Sequence, residues 1–155
     1  TSEPGAGTSF YFTIPYERQN IVPLPVIEKP ADKRFVFTEK KTILVAEDID
    51  SNFQLVRYFL SGTNSDIIRA ANGKEAVEKC LSNKGIDLIL MDIKMPVLDG
   101  YTAAKQIRET NTTIQIIAQT AYADDNTYAI ECGCTGFISK PFDKKSLLKI
   151  VHEFI

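Results

Sequence analysis

The chain has 155 residues, of which 44% are hydrophobic and 25% charged, a composition typical of one globular domain and not of a disordered or fibrous protein. Its 18 basic and 20 acidic side chains give a net charge of -2, which excludes a general electrostatic attraction to nucleic acid or to an anionic membrane. No apolar run reaches the roughly 20 residues of a membrane span. The three cysteines lack the spacing of a zinc site or a disulfide framework, so we expect buried, reduced thiols and a soluble, cytoplasmic chain.

The first 30 residues contain five of the seven prolines, and no helical period survives among them. Apolar Phe10, Phe12 and Ile14 alternate with less apolar residues before Pro15, a pattern that predicts one short strand followed by an extended tail. Because a single strand cannot fold alone, we expect this segment to lie outside the main core.

From Lys41 onward, apolar runs suited to buried strands alternate with amphipathic stretches suited to helices. The predicted strands lie at residues 43–46, 67–70, 88–91, 114–118 and 137–138. The apolar helix faces are Phe53, Val56, Phe59 and Leu60; Ala76, Val77, Cys80 and Leu81; Ala103, Ala104 and Ile107; and Leu147, Leu148, Val151 and Phe154. A further helix is expected around residues 124–131. Five strand–helix units predict an α/β fold, an open five-stranded parallel sheet with helices on both faces.

Polar side chains follow four of the five strands, and the carboxyl ends of parallel strands share one edge of the sheet, where ligands bind. Glu47 and Asp48 follow strand one, Asp92 follows strand three, Thr120 strand four and Lys140 strand five. Each residue alone has an ordinary explanation, because acids after strands often cap the next helix and residues 50–52 could do so here. Their joint position on one edge indicates a site.

Three carboxylates in one place repel one another, and a hard divalent cation such as Mg²⁺ relieves that repulsion. The ammonium of Lys140 can balance oxygen charge and the hydroxyl of Thr120 can donate a hydrogen bond, which are the groups a phosphoryl group needs. Asp92 could then attack phosphorus and become an acyl phosphate. Since neither histidine nor a free glutamate is placed as a general base, the pattern predicts a site that accepts a phosphoryl group and hydrolyses it slowly.

Residues 41–155 closely resemble the receiver domain of two-component response regulators, a family whose strands follow the flavodoxin-like order 2-1-3-4-5. The resemblance rests on the acidic pair Glu47-Asp48, on the strand that ends at Asp92 with Lys94, Pro96 and Asp99-Gly100 after it, on Thr120-Ala121, and on Lys140-Pro141-Phe142. It implies that Asp92 is the phosphoacceptor and that Glu47, Asp48, Asp92 and the backbone carbonyl of Lys94 bind Mg²⁺. It further implies that Thr120 is the switch hydroxyl, that Phe137 is a rotamer-switching aromatic residue and that the peptide before Pro141 is cis.

The N-terminal residues resemble the last glycine box and final strand of a histidine-kinase ATPase domain, from Gly5-Ala6-Gly7 to Ile14-Pro15. We therefore expect a fragment of a hybrid histidine kinase, with an ATPase remnant at 1–17, a linker at 18–40 and a receiver at 41–155. Such a fragment is a phosphoacceptor with at most slow autodephosphorylation and does not use ATP itself, while the parent protein is a histidine kinase. A membrane anchor, if the parent has one, lies outside the fragment.

The resemblance implies a phosphohistidine domain of a histidine kinase as phosphoryl donor, with a histidine phosphotransfer domain or a downstream regulator as further partners, and neither nucleic acid nor membrane as a direct contact. The only histidine, His152, is expected to be a surface or packing residue. Two alternatives remain open. The first is a haloacid-dehalogenase-like phosphatase with Asp48-Ile49-Asp50 as its D-x-D motif, although that family places its lysine before a later acidic pair. The second is a receiver-like module that no longer accepts phosphate.

Overall fold

The computed structural model describes residues 2–3, 7–8, 10–13, 35–121 and 126–155. Its strands are β1 (Ser2–Glu3), β2 (Gly7–Thr8), β3 (Lys41–Ala46), β4 (Ser65–Ala70), β5 (Leu88–Asp92), β6 (Gln115–Thr120) and β7 (Gly136–Ser139). Its helices are α1 (Asp50–Leu60), α2 (Gly73–Ser82), α3 (Gly100–Thr110), α4 (Asn126–Glu131) and α5 (Lys144–Phe154). All five strands and all five helices predicted from Lys41 onward are therefore present.

Strands β3 to β7 form one sheet in the order β4-β3-β5-β6-β7, and every pairing is parallel. Numbered within the sheet, this is the predicted order 2-1-3-4-5. The chain passes from β3 to β4 on one side and then returns to β5 on the other, so the strand order reverses between β3 and β5. Ligands of open α/β sheets bind at such a reversal.

Each face of the sheet carries its own hydrophobic core. On one face, Leu44 and Ala46 of β3 belong to the core that includes α2, α3 and α4; on the other, Ile43 and Val45 belong to the core that includes α1 and α5. All four side chains are fully buried. This alternation confirms the prediction of helices on both faces, because successive side chains of a strand point to opposite sides.

Three of the helices begin with a side-chain cap that satisfies one of their free N–H groups. Asn72, Asp99 and Asp143 accept hydrogen bonds from the backbone N–H groups of residues 75, 102 and 146 at 2.9, 3.0 and 2.8 Å. The helix predicted around 124–131 begins at Asn126, and Asp124 and Asp125 lie outside the described residues. Among the described residues, no helix is long and apolar enough to cross a bilayer.

The strand predicted from Phe10 to Ile14 is wrong for its described part. Residues 10–13 have no regular secondary structure, and Phe10, Tyr11 and Phe12 are exposed by 88%, 84% and 83%; Ile14 lies outside the described residues. A strand needs a hydrogen-bonded neighbour. Among the described residues, the two N-terminal strands β1 and β2 pair only with each other.

The sequence pattern predicts that Leu81 lies on the buried, apolar face of α2. This prediction is wrong, because Leu81 is 47% exposed. Leu81 lies in the last turn of α2 and is rotated by about 100° from the buried Cys80, so it points away from the sheet. All three cysteines, Cys80, Cys132 and Cys134, are buried thiols. Burial raises the pKa of the Cys134 thiol to about 12, so it stays protonated at neutral pH.

The last residues of the predicted linker pack against the main domain. Phe37 is buried in the core beside α1 and α5, and its backbone N–H donates to the carbonyl of Thr63 at 2.9 Å. The exposed ring of His152 contacts Phe35 and Phe37, with centroids 6.1 and 5.4 Å apart, so this histidine is a surface residue with a packing contact. Residues 18–34 lie outside the described part of the chain, and the domain boundaries stay predictions.

Candidate functional site

The three predicted metal-binding carboxylates come together at the reversal point of the sheet. Glu47 and Asp48 follow β3, Asp92 is the last residue of β5, and one oxygen of each lies within 4.8 Å of the others. Glu47 is fully buried and Asp92 is 8% exposed, while Asp48 is half-buried. Charged groups with so little solvent are unfavourable unless other groups compensate them.

Lys140 supplies part of that compensation. Its ammonium group donates to Oε2 of Glu47 and to Oδ2 of Asp92, each at 2.8 Å. Burial by itself lowers the pKa of the Lys140 ammonium, but its hydrogen bonds and charge interactions with Asp92 and Glu47 outweigh that effect and raise the pKa above its ordinary value. The group is therefore positively charged at neutral pH, and the formal charges of the three carboxylates and this ammonium sum to two negative charges.

Glu47 is also held by hydrogen bonds from the start of α1. Its Oε1 accepts from the backbone N–H of Ile49 at 3.2 Å and from the side-chain amide of Asn52 at 3.0 Å. The alternative that residues 50–52 cap this helix is wrong, because the cap position is Ile49 and lacks a side-chain cap bond. Asp50 instead pairs with Arg69 at 2.6 Å, outside the carboxylate cluster.

A cavity of about 260 Å³ opens beside Asp92 and brings the remaining predicted residues together. Lys94 and the buried Thr120 line it, as do Asp48 and Lys140, and the backbone N–H of Lys94 donates to Oδ1 of Asp92 at 3.2 Å. The peptide before Pro141 is cis, as the resemblance implies. The metal-ligand role of the Lys94 carbonyl stays a prediction.

Phe137 lies one strand away from this cavity, in β7. Its side chain is half-buried and packs against the core that includes α3 and α4. In the same region, the rings of Tyr101 and Tyr128 meet edge to face with their centroids 4.8 Å apart. Both interpretations of Phe137, a core residue and a switching residue, are compatible with that position.

The donor set fits a small divalent cation. Three carboxylates with an oxygen from each inside 4.8 Å are hard, anionic ligands, and two of them, Asp48 and Asp92, line the cavity. Mg²⁺ prefers such oxygen ligands and retains several waters or phosphate oxygens. The two net negative charges of the cluster equal the charge that one such ion neutralises.

The model of the response regulator receiver domain family matches residues 43–152, which is most of the chain and includes every residue of this cluster. The chain belongs to that family. The match also rules out the haloacid-dehalogenase-like alternative, as does Asp50, whose carboxylate pairs with Arg69 and not with the cluster.

Known receiver proteins resemble the chain in sequence and in structure. The chain is 32% identical over 142 residues to the sensor protein EvgS of Escherichia coli strain K12, an alignment that covers 90% of the chain and 12% of EvgS. The receiver domain of the sensor histidine kinase PA1611 of Pseudomonas aeruginosa PAO1, solved with a magnesium ion in its active-site cleft, is 30% identical with a TM-score of 0.69; the match covers 74% of this chain and 97% of that one.

A second solved structure contains a receiver bound to its partner. The receiver domain of the response regulator Ssk1 of Saccharomyces cerevisiae, solved with the histidine phosphotransfer protein Ypd1, is 32% identical with a TM-score of 0.70. The match covers 75% of this chain and 89% of the solved one. The protein is thus a receiver domain with the five-stranded sheet of its family.

Sequence reasoning missed two residues of this receiver site, Asn52 and Gln119. Asn52 binds Glu47, and Gln119 lines two cavities on either side of Lys140. The signal for Gln119 was present, because a polar amide interrupts the apolar strand β6 immediately before Thr120. Asn52 carries no comparable signal, since a polar residue in the first turn of a helix is ordinary.

Proposed function

We propose that this receiver domain accepts a phosphoryl group from a phosphohistidine onto Asp92 and relays a two-component signal as part of a hybrid histidine kinase. The observation that carries the proposal is the ammonium of Lys140, 2.8 Å from both Asp92 and Glu47, beside an oxygen cluster suited to Mg²⁺. An aspartate that is only structural needs neither the adjoining cavity nor a second and third carboxylate.

In this proposal an oxygen of Asp92 attacks the phosphorus atom. A P–O bond forms as the P–N bond of the donor breaks, and the imidazole nitrogen keeps the electron pair and takes a proton from solvent. Lys140 stabilises the phosphoryl oxygens through its charge, and Thr120 donates its hydroxyl hydrogen to one of them. Glu47, Asp48, Asp92 and the Lys94 carbonyl would hold a Mg²⁺ ion, which would supply positive charge where the carboxylates and the phosphoryl group meet.

The acyl phosphate should be long-lived. The cavity beside Asp92 is lined by carboxylates, two lysines, a threonine and apolar or amide side chains, and it has no histidine among its described lining residues. His152 lies in the last helix, outside this cavity, and its ring contacts Phe35 and Phe37. Without a general base to activate water, hydrolysis is expected to be slow compared with transfer.

We infer that phosphorylation changes the surface around α4, β7 and α5. The new anion on Asp92 draws Thr120 toward it, and the vacated space lets the half-buried Phe137 turn inward. A surface changed in this way can bind a partner that the unphosphorylated surface does not bind. Such a change of conformation requires that the two conformations differ in free energy by only a few kcal/mol.

The resemblance to a receiver of a sensor histidine kinase supports a hybrid kinase as parent. We propose, from the sequence alone, that residues 1–17 are a remnant of its ATPase domain and that residues 18–40 are a linker. The similarity to Ssk1, a receiver that binds a phosphotransfer protein, supports a histidine phosphotransfer domain or a downstream regulator as partner. We place the domain in the cytoplasm, where its three buried cysteines remain reduced.

Replacing the acceptor tests the proposal. The Asp92→Asn variant keeps the shape of the side chain but lacks a nucleophilic carboxylate, so acid-labile labelling by acetyl phosphate or a phosphohistidine donor should disappear. The control is Asp66→Asn, which alters an exposed carboxylate paired with Lys40 far from the cluster and should label like the native protein. Persistent labelling of the Asp92→Asn variant would refute the acceptor assignment.

A further inference from the structure

Gln119 has a buried amide that the proposed phosphoacceptor chemistry does not use. Its side chain is fully buried in β6, yet among the described residues neither Oε1 nor Nε2 has a hydrogen-bond partner in the protein. Buried polar atoms are nearly always paired with protein groups or with ordered water. An apolar residue would fill this place without that penalty, as the neighbouring Ile117 of the same strand face does.

The strand order puts Gln119 under the side chain of Lys140. Lys140 follows β7 at one edge of the sheet, but its ammonium reaches Asp92 on β5 and Glu47 after β3. Strand β6 lies between β7 and β5, so the lysine side chain must cross the end of β6, where Gln119 pairs in register with Asp92. Glu47, Asp92 and Gln119 all continue the sheet face that packs on α1 and α5.

Two cavities meet at this point, and Gln119 and Lys140 line both of them. One is the cavity beside Asp92; the other, of about 350 Å³, lies between the start of α1 and the residues after β7. The second cavity also has Glu47 and Asn52 in its wall. It therefore has the room and the two to four polar partners that a buried water molecule requires.

The ammonium of Lys140 has three N–H donors, and Glu47 and Asp92 account for two of them. We propose that the amide of Gln119 holds a water molecule that accepts the third N–H of Lys140, which makes Gln119 a positioning residue for this ammonium. The inference rests on the proposed function, because positioning matters where Lys140 meets a phosphoryl group. A fixed ammonium stabilises developing charge better than one that must reorganise.

The experiment compares Gln119→Leu with Gln115→Leu, the same change at the other end of β6, where the side chain is only half-buried and outside both cavities. The rate of labelling by acetyl phosphate should fall about tenfold in Gln119→Leu, the ratio expected for one hydrogen bond to a charged group. Its melting temperature should change little, because the substitution replaces a buried amide and the water it holds with an apolar side chain of similar size in the apolar core beside α1 and α5. The Gln115→Leu control should label at the native rate.

A second measurement does not depend on phosphorylation. In the metal-free protein, the ammonium ¹H–¹⁵N signal of Lys140 should be protected from solvent exchange in the native chain and should broaden in Gln119→Leu. If the ammonium signal is unchanged in Gln119→Leu, Gln119 is a packing residue and the inference is overturned. If Gln119→Leu unfolds, Gln119→Met, which keeps the unbranched shape, gives the same comparison.

The outcomes also separate this inference from the proposed function. If the native protein is not labelled at all, the proposed function fails, and the Lys140 signal still decides whether Gln119 holds the ammonium. If the native protein is labelled and the signal does not respond to the substitution, only the inference fails.

Discussion

The strongest quantitative prediction concerns the repulsion among the three carboxylates. Asp48→Asn removes one negative charge whose oxygen lies within 4.8 Å of oxygens on Glu47 and Asp92. Each of the two repulsions is worth about 3 kcal/mol at an effective dielectric constant near 20. Attraction between Asp48 and the Lys140 ammonium, which line the same cavity, offsets part of this repulsion, and the half-exposed position of Asp48 screens the remainder. The variant should therefore be more stable than the native protein by about 1 to 2 kcal/mol when metal is absent.

The assay is thermal unfolding in a chelator and in Mg²⁺. In the chelator the melting temperature of Asp48→Asn should rise by about 3 to 8 °C. Added Mg²⁺ should stabilise the native protein by mass action but should stabilise the variant much less, because a ligand oxygen has lost its charge. Asp50→Asn is the matched control, since Asp50 is exposed and pairs with Arg69 outside the cluster. A lower melting temperature for Asp48→Asn than for the native protein in chelator would contradict the reasoning.

Two further predictions follow from the backbone around the site and from a helix cap. A Cβ at Gly100 would lie 2.2 Å from the backbone oxygen of Asp92, so Gly100→Ala should destabilise the domain by about 1 to 3 kcal/mol and slow labelling. Gly85→Ala is the control and should do neither, because its Cβ would meet only the side chain of Asn83, at 3.3 Å. Equal melting temperatures for the two variants would refute this prediction. Backbone hydrogen bonding from Ala71 and the side chain of Lys79 lower the pKa of Glu75 below its ordinary value of 4.5. The ionised form therefore adds stability above about pH 4.5 that is lost as the pH falls through the lowered folded-state pKa. Denaturant unfolding should show Glu75→Gln to be less stable at pH 7, by less than about 1 kcal/mol, and this difference should shrink as the pH is lowered below 4.5. A difference that does not shrink with falling pH would contradict the assignment.

The sheet and the position of the site could be predicted because both depend on simple periodic features. Strands buried on both faces leave continuous apolar runs, and a parallel arrangement brings their carboxyl ends to one edge whatever the details of packing. For that reason Glu47, Asp48, Asp92, Thr120 and Lys140, which are far apart in the chain, could be assigned to one place. Strand ends were less predictable: β3 begins at Lys41 and β4 at Ser65, because backbone pairing continues past the apolar residues.

Errors arose where three-dimensional surroundings decide the outcome. The alternation in residues 10–13 is typical of a strand, but pairing requires a neighbour that a local pattern cannot supply. Asn52 and Gln119 were missed because the importance of a polar residue depends on which atoms face it. Asn52 acquires its role only when α1 is placed over Glu47, and Gln119 only when Lys140 crosses β6.

The formal charges of the three carboxylates and the Lys140 ammonium do not cancel. Lys140 neutralises one of three carboxylates, and the remaining two charges are held in a region where Glu47 and Asp92 are almost without solvent. Such a site is less stable empty than filled. This excess charge at the sheet edge links the fold to its proposed chemistry, since the feature that destabilises the domain alone is the one that attracts a cation.

Intact-mass spectrometry with acetyl phosphate, in the presence and absence of Mg²⁺, tests the central claim most directly when the modified residue is then located by fragmentation. The account predicts a single phosphoryl adduct on Asp92 that forms with Mg²⁺ and is lost in acid or base. An adduct on any other residue, or one that forms equally well in a chelator, would contradict it.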